Sequence, residues 1–434
     1  MKQIKTILSA MRSIATCFLL LGMALSFVGC DKGGSSDTLE FWSIQVDGDG
    51  PAIVKAAVDR FIAANPKMKV NITEIANDSY KQRLAVAMAA GQTPDLFFSW
   101  TGGPMYEYVN NGLIVDLTSF MEAGNYKDKF LDAAIAQGSY QGKIWGFPMT
   151  NVGVCTVFYN KEIFERLNLL VPVTIRELEN VCDVLIRNKI TPFSLANKTQ
   201  WTGSMYFMFL ATRRGGVQPF IDAVDGSGTF LDPAFIFAGN KIRQWVSNNY
   251  FLPGFNGLDW DAGQARAPLY RGDTAMLIMG SWFVHQAKSE NPEFFEKMGI
   301  FTFPRDEEGV GDANTVIGTV GDNFYHISSA SKNPAKAFEL LTFFLDEEGV
   351  NGAIGSGRIP PVKGVTLDDP LLSELFSMVQ AAPDMQLWYD QSLSADVADV
   401  HKITSQEIFG LTLSSEEAAQ RLQNAQEAFL KSGK

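Results

Sequence analysis

The sequence predicts an α/β fold that is built from two domains. From Thr38 onward, short segments with alternating apolar residues are followed by segments whose apolar residues recur at helical spacing. This order of strands and helices is typical of βαβ units and of a mainly parallel sheet. The chain has 434 residues, more than a single hydrophobic core usually serves, so two domains are expected.

The individual elements follow from this alternation. Asn65-Pro66 ends the first helix, and Gly91 is expected to cap the second. Farther along, Asn160 opens a helix after a strand, and the capping-box pattern of Ser414-Ser-Glu-Glu417 opens the last helix. We predict strands at 38–42, 69–75, 94–99 and 152–159, and helices at 53–64 and 79–90.

The charge balance argues against two classes of partner. The net charge is −12 at pH 7, and residues 1–29 hold three basic residues and no acidic one, so removing them would leave a more acidic chain. Such a surface repels phosphate backbones and anionic headgroups. We therefore expect no binding to nucleic acid and no membrane binding through a basic patch.

The cysteine content predicts buried thiols rather than a disulfide framework. Only four cysteines are present, and Cys155 and Cys182 alone lie in the body of the chain, each in an apolar segment. A disulfide between these two is the alternative, because a compartment outside the cytoplasm would permit one.

Residues 1–29 have the pattern of a secretory signal peptide. Lys2, Lys5 and Arg12 precede an uncharged apolar run at 13–28, which is short for a membrane span. The run ends Phe27-Val-Gly-Cys30, which resembles the lipobox of bacterial lipoproteins, although phenylalanine replaces the usual leucine.

The lipobox resemblance implies cleavage before Cys30, acylation of that cysteine and a lipid anchor in the cell membrane. An ordinary secretory signal with a chance cysteine is the alternative. Residues 30–37 form a short polar linker suited to joining a domain to a membrane. Asp31 resembles the signal that keeps lipoproteins on the periplasmic side of the inner membrane, if the cell has two membranes.

Several motifs beyond the signal peptide occur in a recognisable order. Gly142-Lys-Ile-Trp-Gly-Phe-Pro148 is followed by Tyr159-Asn-Lys161, and this passage resembles the bacterial extracellular solute-binding proteins of sugar ABC transporters. Cys155 and Arg358 depart from the family's usual residues. The resemblance covers nearly the whole mature chain and recurs at Gly91-Gln-Thr-Pro-Asp95, Gly272-Asp-Thr-Ala-Met276, Gly280-Ser-Trp282, Pro334-Ala-Lys-Ala-Phe338 and Gly357-Arg-Ile-Pro360.

The family resemblance implies a two-lobed periplasmic-binding-protein type II fold, with a ligand cleft at the hinge. Each lobe is then built from discontinuous segments. We expect lobe 1 at 38–148 and 318–362, and lobe 2 at 149–317 and 363–434. In open α/β sheets, ligands bind beyond the carboxyl ends of the strands, where the connecting loops gather.

The segment Tyr270 to Trp282 is expected to bring an indole to the edge of a sheet. The segment holds a turn, a run of large apolar residues and then Gly280-Ser-Trp282, which predicts a buried strand that ends at an indole. That ring faces either a core or a cleft, and the family resemblance favours the cleft. Trp145, Trp245 and Trp260, by contrast, are interpreted as structural.

The residues expected at the cleft are those that a saccharide needs. Sugar rings present C–H faces that stack on aromatic side chains and hydroxyls that bond to carboxylates and amides. From lobe 1, the resemblance implies Trp42, Gln45, Asp47, Trp100, Asp322, Asn323 and Arg358; from lobe 2, it implies Asn151, Trp201, Trp282, Trp388 and Asp390.

No catalytic motif is recognisable. The three histidines lack metal-ligand spacing, and Gly-x-Ser-x-Gly, His-Glu-x-x-His and Cys-x-x-Cys are absent from the sequence. We therefore expect no enzyme, metal or cofactor, but a monomeric, lipid-anchored component of an ABC importer that delivers a carbohydrate to the permease subunits.

Two alternatives stay open. One is the same fold with a phosphorylated or anionic solute, for which only Arg358 among the cleft candidates is basic. The other is a secreted carbohydrate-active enzyme that would use a pair of carboxylates chosen from Asp47, Asp95, Asp322 and Asp390.

Overall fold

The computed structural model describes residues 37–148, 151–321 and 324–432. The predicted signal peptide at 1–29, the lipidation site Cys30, the linker apart from Asp37, and the site candidates Asp322 and Asn323 lie outside the described residues. From Leu39 onward the chain forms one compact unit.

The strands are short, and most are buried on both faces. They are numbered in chain order: β1 (Thr38–Ser43), β2 (Lys69–Glu74), β3 (Leu96–Ser99), β4 (Ser139–Tyr140), β5 (Lys143–Ile144), β6 (Phe147–Pro148), β7 (Gly153–Asn160), β8 (Thr191–Ser194), β9 (Thr274–Gly280), β10 (Met298–Phe301), β11 (Val316–Thr319), β12 (Phe324–Ile327) and β13 (Met385–Gln386).

Helices connect these strands and cover the sheets. The α-helices span Gly50–Ala64, Asn77–Ala89, Gly103–Asn110, Thr118–Ala123, Asp132–Gln137, Lys161–Arg166, Ile175–Arg187, Trp201–Gly215, Gln218–Asp225, Pro233–Ser247, Arg266–Tyr270, Trp282–Glu290, Pro292–Lys297, Pro334–Thr342, Glu347–Gly355, Pro370–Ala381, Tyr389–Ser392, Ala395–Phe409 and Ser415–Ser432. Short 3-10 helices lie at Lys127–Lys129, Asn197–Thr199 and Phe255–Gly257.

Two sheets organise the unit. The first has the strand order β2-β1-β3-β12-β6, and the second has the order β13-β11-β7-β9-β8 with β10 also paired to β7. In the first sheet β1 runs parallel to β3, whereas β12 runs antiparallel to both β3 and β6. In the second sheet β7 runs antiparallel to β9, β10 and β11.

The expectation of a mainly parallel sheet is therefore wrong, since both sheets are mixed. The amino-terminal βα alternation does give the parallel pair of β1 and β3. The antiparallel strands β7 and β12 come instead from segments that pass from one sheet to the other. A strand that arrives from the other sheet needs no crossover helix, so it is free to run antiparallel to its neighbours.

Each sheet has its own hydrophobic core. One cluster includes Phe41, Phe97 and Tyr325 from the first sheet, and the other includes Phe158, Phe193 and Met276 from the second. The first sheet draws its strands from 38–148 and 324–327, and the second from 153–319 and 385–386. The lobe boundaries expected from the sequence stay a prediction, and β11 of the second sheet runs across the expected boundary between 317 and 318.

Local capping explains where several helices begin. The Asn160 side chain accepts a hydrogen bond from the Ile163 amide at 3.2 Å, which caps the helix Lys161–Arg166. Ser414 and Glu417 form the expected reciprocal capping box: the Glu417 amide donates to Ser414 Oγ at 3.2 Å, and the Ser414 amide donates to the Glu417 carboxylate at 3.1 Å.

The two cysteines of the described residues are unpaired. Cys155 lies in β7 and Cys182 in the helix Ile175–Arg187, and both are buried. Burial raises the pKa of both thiols well above its ordinary value, so they behave as apolar core groups. The buried-thiol prediction is confirmed, and the disulfide alternative is excluded for this structure.

Candidate functional site

A cavity of about 140 Å³, partly open to solvent, lies between the two lobes. The wall contains aromatic, carboxylate and amide side chains from both sheets: Ile44, Gln45, Val46, Asp47, Asn77, Lys81, Trp100, Trp201, Met205, Met208, Trp260, Asp261, Trp282, His285, Gln286, Trp388, Asp390 and Gln391.

Four indoles form a continuous cluster on the second-lobe side. Trp201 lies at the centre, with ring centroids 6.2 Å from Trp260 and 6.0 Å from Trp282. Trp282 in turn lies 5.7 Å from Trp388. The Trp201 and Trp282 rings are partly exposed, whereas Trp260 and Trp388 are buried behind them. The cavity therefore has a broad apolar wall made of fixed rings.

The position of Trp282 follows from the end of β9. The strand is buried along its whole length and ends at Gly280, and Trp282 is the first residue of the next helix. Ser281 fixes the turn, because its Oγ donates to the Val152 carbonyl at 2.5 Å and its amide donates to the Val154 carbonyl at 2.7 Å. The indole is thereby held at the edge of the sheet rather than in the core.

The first-lobe wall comes from the ends of β1 and β3. Gln45 and Asp47 lie in the loop after β1, and Trp100 directly follows β3. Gln45 is held in place by Arg358, whose Nη2 donates to Gln45 Oε1 at 3.0 Å. Lys81 extends from the helix Asn77–Ala89, and its Nζ lies 4.7 Å from the Trp100 ring centroid.

Three polar contacts cross the cavity and join the two walls. Gln286 Nε2 donates to the Asp47 carboxylate at 3.1 Å. The Asp78 amide lies 3.5 Å from the Asp261 carboxylate. The Lys81 ammonium and the Asp390 carboxylate are 3.9 Å apart. These contacts hold the lobes together across a space that is otherwise free of protein.

The cavity carries more negative than positive charge. Asp47, Asp261 and Asp390 line it together with a single lysine, Lys81. Burial raises the pKa of Asp261 to about 6, and the neighbouring Asp78 carboxylate contributes further. Desolvation lowers the pKa of Lys81, and it lowers the pKa of His285 well below the usual value, so His285 is neutral at pH 7.

Several buried polar atoms of this wall have no hydrogen-bond partner among the described residues. They are the indole N–H groups of Trp201 and Trp388, Nδ1 of His285, and the amide oxygens of Gln286 and Gln391. An unpaired buried polar group costs about 1–3 kcal/mol. A ligand with both donors and acceptors would relieve that cost at several points at once.

Most of the residues that the sequence placed at the cleft line this cavity. They are Gln45, Asp47, Trp100, Trp201, Trp282, Trp388 and Asp390.

Three candidates lie outside the lining, each for a structural reason. Trp42 packs edge-on against Tyr80, with the Arg83 guanidinium over its ring. Asn151 is buried, and its Oδ1 accepts a hydrogen bond from the Ile359 amide at 3.0 Å. Arg358 is buried behind Gln45 and holds that side chain from the rear.

Trp260 lines the cavity. The interpretation of this indole as purely structural is therefore wrong. Trp245 and Trp145 do lie away from the cavity: their Nε1 atoms donate to Glu179 Oε1 at 2.8 Å and to the Tyr140 carbonyl at 2.9 Å. Sequence reasoning also missed polar lining residues on helices and loops, namely Asn77, Lys81, Asp261, His285, Gln286 and Gln391.

Two further properties concern only the described ranges 37–148, 151–321 and 324–432. Within them, no helix combines the length and the apolar character needed to cross a bilayer. Histidine, cysteine and acidic side chains there form no group of three that could hold a metal ion.

Residues 47–351 match the model of the family described as bacterial extracellular solute-binding protein. The chain belongs to this family. A solute-binding relative, the multiple sugar-binding protein of Streptococcus mutans, is 23% identical over 353 residues, which cover 78% of this chain and 80% of the relative. The members of this family are binding proteins, and the family description supports an extracytoplasmic location.

Solved structures share the two-lobed architecture of this solute-binding chain. One, from work on xylan utilization by the thermophilic bacterium Caldanaerobius polysaccharolyticus, has a TM-score of 0.83 and 29% identity, and the match covers 89% of this chain and 99% of that one. A chitin oligosaccharide binding protein has a TM-score of 0.82 and 25% identity, with 91% and 100% covered. The predicted fold class is thus confirmed.

Proposed function

We propose that this solute-binding protein is the carbohydrate-binding component of a bacterial ABC importer, with its ligand held between the lobes. The observation that carries the proposal is the cavity itself. It combines an indole wall for the C–H faces of a sugar with unpaired donors and acceptors for its hydroxyls. The names of the relatives support it, because they include a multiple sugar-binding protein and a chitin oligosaccharide binding protein.

The residues proposed to contact the sugar fall into two groups. The partly exposed rings of Trp201 and Trp282 supply the stacking surface, and Trp388 supports Trp282 from behind at a centroid distance of 5.7 Å. Asp47 and Asp390 supply carboxylates that accept from hydroxyls, and they have to release Gln286 and Lys81 in part to do so. Replacing these interlobe contacts by bonds to sugar hydroxyls costs little free energy. The Lys81 side chain stays about 31% exposed, and partly exposed ion pairs are weak.

The charge of the cavity disfavours a phosphorylated or anionic ligand. Three carboxylates face a single lysine, whose pKa is lowered by desolvation. Phosphate recognition would call for clustered arginines or a helix N-terminus directed at the ligand. A neutral saccharide therefore suits this wall better than an anion does.

The ligand acts by shifting an equilibrium between open and closed lobes. It contacts both walls only when the lobes are closed, so its binding energy favours the closed form. The closed form would then present both lobes to the permease subunits as one surface.

A thermal-shift screen tests the proposed function. The mature protein is incubated with xylose, N-acetylglucosamine, galactose, and xylo- and chito-oligosaccharides of two to six units. At a hundredfold excess over Kd, a saccharide should stabilise the protein by about 2.7 kcal/mol and raise Tm accordingly. Chromatography of the same mixtures should show intact saccharide. Failure of every sugar to raise Tm, or hydrolysis of a bound sugar, would contradict the proposal.

Lipid anchoring at Cys30 is a separate part of the proposal. It rests on the resemblance of Phe27-Val-Gly-Cys30 to a lipobox and on the signal-peptide pattern before it. The full-length chain should fractionate with membranes, and the Cys30→Ser variant should fail to do so. Equal membrane fractions for the two chains would rule out the anchor without touching the sugar site.

A further inference from the structure

A larger groove adjoins the indole-lined cavity. It has a volume of about 1070 Å³ and is partly open to solvent. The groove and the cavity have five lining residues in common: Lys81, Trp100, Trp201, Asp390 and Gln391. The two spaces are therefore continuous, and a molecule that outgrows the cavity has a direct path into the groove.

Both lobes contribute a wall to this groove. The first-lobe wall comes from the helices Asn77–Ala89 and Gly103–Asn110, and the second-lobe wall comes from the segment Asn197–Thr199 and the helix Ala395–Phe409. The lining alternates ring surfaces with hydrogen-bonding groups, as a saccharide site requires. Besides the shared residues, it includes Gln82, Glu107, Tyr108, Asn111, Thr199, Gln200, Asp399 and Lys402.

The junction between the two spaces is aromatic. Trp100 from the first lobe and Trp201 from the second belong to both linings, so a chain that passes from one space to the other runs along indole surfaces. The Trp201 N–H and the Gln391 Oε1 are buried here without a hydrogen-bond partner among the described residues. These two atoms point to a ligand with hydroxyl groups at the junction itself.

The Lys81–Asp390 contact lies where the cavity and the groove meet, since both residues line both spaces. The ammonium and carboxylate are 3.9 Å apart, at the outer limit of an ion pair, and the two side chains are 31% and 12% exposed. A partly exposed pair of this kind contributes little free energy. A sugar unit that offers hydroxyls to both groups can therefore take its place.

We propose that the groove is a second compartment for the distal units of the same saccharide, so that the ligand is an oligosaccharide longer than the cavity holds. This inference rests on the proposed function and specifies its substrate class. The occupant is not an anion, because each lysine of the groove already faces a carboxylate: Lys81 with Asp390 at 3.9 Å, Lys198 with Asp259 at 3.0 Å, and Lys402 with Asp399 at 2.8 Å. Continuity with the cavity identifies the occupant as the same chain rather than a second molecule.

Two variants that fill the groove without touching the cavity test this inference. Ala85 and Ala395 line the groove from opposite lobes, and both are exposed, so Ala85→Trp and Ala395→Trp should fold normally. Ala56→Trp is the matched control, because Ala56 is an exposed helical alanine of the first lobe outside both linings. Isothermal titration is run on all four chains with xylo- and chito-oligosaccharides of one to six units.

For the unmodified protein, affinity should keep rising with chain length beyond the shortest saccharide that binds. Each groove variant should lose at least about fivefold in affinity for the longest saccharide, with the shortest one changed less than twofold; one disrupted stacking contact of about 1 kcal/mol gives that loss. Ala56→Trp should match the unmodified protein.

Affinity that is independent of chain length, or groove variants that bind the longest saccharide as the control does, would overturn the second compartment and leave the proposed function standing. Absence of binding for every saccharide would overturn both.

Discussion

The ring of Trp282 lies against the backbone of Gly280. A Cβ placed on Gly280 would come within 2.1 Å of the indole, closer than any real side chain permits. The glycine at the end of β9 is therefore a condition for the position of the aromatic residue two places later. The backbone of Gly280 and the side chain of Trp282 therefore pack together as one part of the cavity wall.

Gly280→Ala should displace the Trp282 ring and weaken saccharide binding by about tenfold. The added methyl group has no space, and overpacking of this kind costs about 1–3 kcal/mol. Titration calorimetry measures the affinity, and denaturant unfolding measures the stability. Gly352→Ala is the control: nothing lies within 4 Å of its Cβ position in an exposed helix, so affinity should stay unchanged. Equal affinities for the two variants would show that ring position does not matter.

Trp282→Ala should weaken binding by at least about tenfold, because it removes a desolvated aromatic contact from the centre of the site. Trp145→Ala provides the comparison, since that indole is partly exposed and lies in the first lobe away from the cavity. Its affinity should remain within twofold of the unmodified protein. Unchanged titration curves for the Trp282 variant would remove this residue from the site.

Asp47→Ala should raise Kd by about tenfold. The substitution removes the carboxylate that is proposed to accept hydrogen bonds from sugar hydroxyls, and hydrogen bonds to charged groups contribute about 1.5–3 kcal/mol. Asp49, two residues later, is exposed and outside the lining, so Asp49→Ala should bind like the unmodified protein. A similar loss in both variants would indicate a general charge effect instead.

The raised pKa of Asp261 predicts a pH dependence of stability. Its folded-state pKa of about 6 lies above the ordinary 3.8, so the folded protein holds this proton more tightly than the unfolded chain does. The resulting stabilisation is fully present below about pH 4 and is lost as the pH rises through about 6. The free energy of unfolding should fall between pH 5 and pH 7 in the unmodified protein. In Asp261→Asn that fall should be smaller by roughly 1 kcal/mol, after allowance for solvent screening.

Asp132→Asn is the matched control for the pH measurement. The Lys363 hydrogen bond lowers the pKa of Asp132, so its stabilising effect is present at both pH 5 and pH 7 and is lost only at lower pH. This variant should lower the free energy of unfolding equally at the two pH values. If Asp261→Asn retains the full pH dependence of stability, the Asp261 carboxylate does not cause that dependence.

Local sequence patterns were sufficient to predict the elements whose hydrogen bonds join residues close together in the sequence. The capping box at Ser414, the N-cap at Asn160 and the buried run of β9 all depend on neighbours in sequence, and the structure has them as expected. Strand direction was not predictable in this way. Whether β12 lies parallel or antiparallel to β3 depends on the path of a chain that returns from the other lobe, more than two hundred residues later.

Lining residues that directly follow a strand were predictable from the sequence, whereas polar lining residues inside helices, such as Lys81 and Gln286, were missed. Gln45 and Asp47 follow β1 and were found, whereas Lys81 lies on a helix that was recognised by its apolar face alone. Trp42 shows the limit of the strand-end rule. Successive side chains of a strand point to opposite faces, so Phe41 enters the core while Trp42 packs on Tyr80 beside the cavity. Trp260 lies in a turn that no periodic signal marks.

The indole cluster also gives the cleft an optical property. Four of the eight tryptophans of the chain, Trp201, Trp260, Trp282 and Trp388, lie in one cluster with neighbouring centroids about 6 Å apart. At that separation the rings exchange excitation energy, so ultraviolet emission and near-ultraviolet circular dichroism report on the cluster as a group. Occupancy of the cleft can thus be followed in the unlabelled protein, because these four tryptophans and Trp100, five of the eight in the chain, line the cavity.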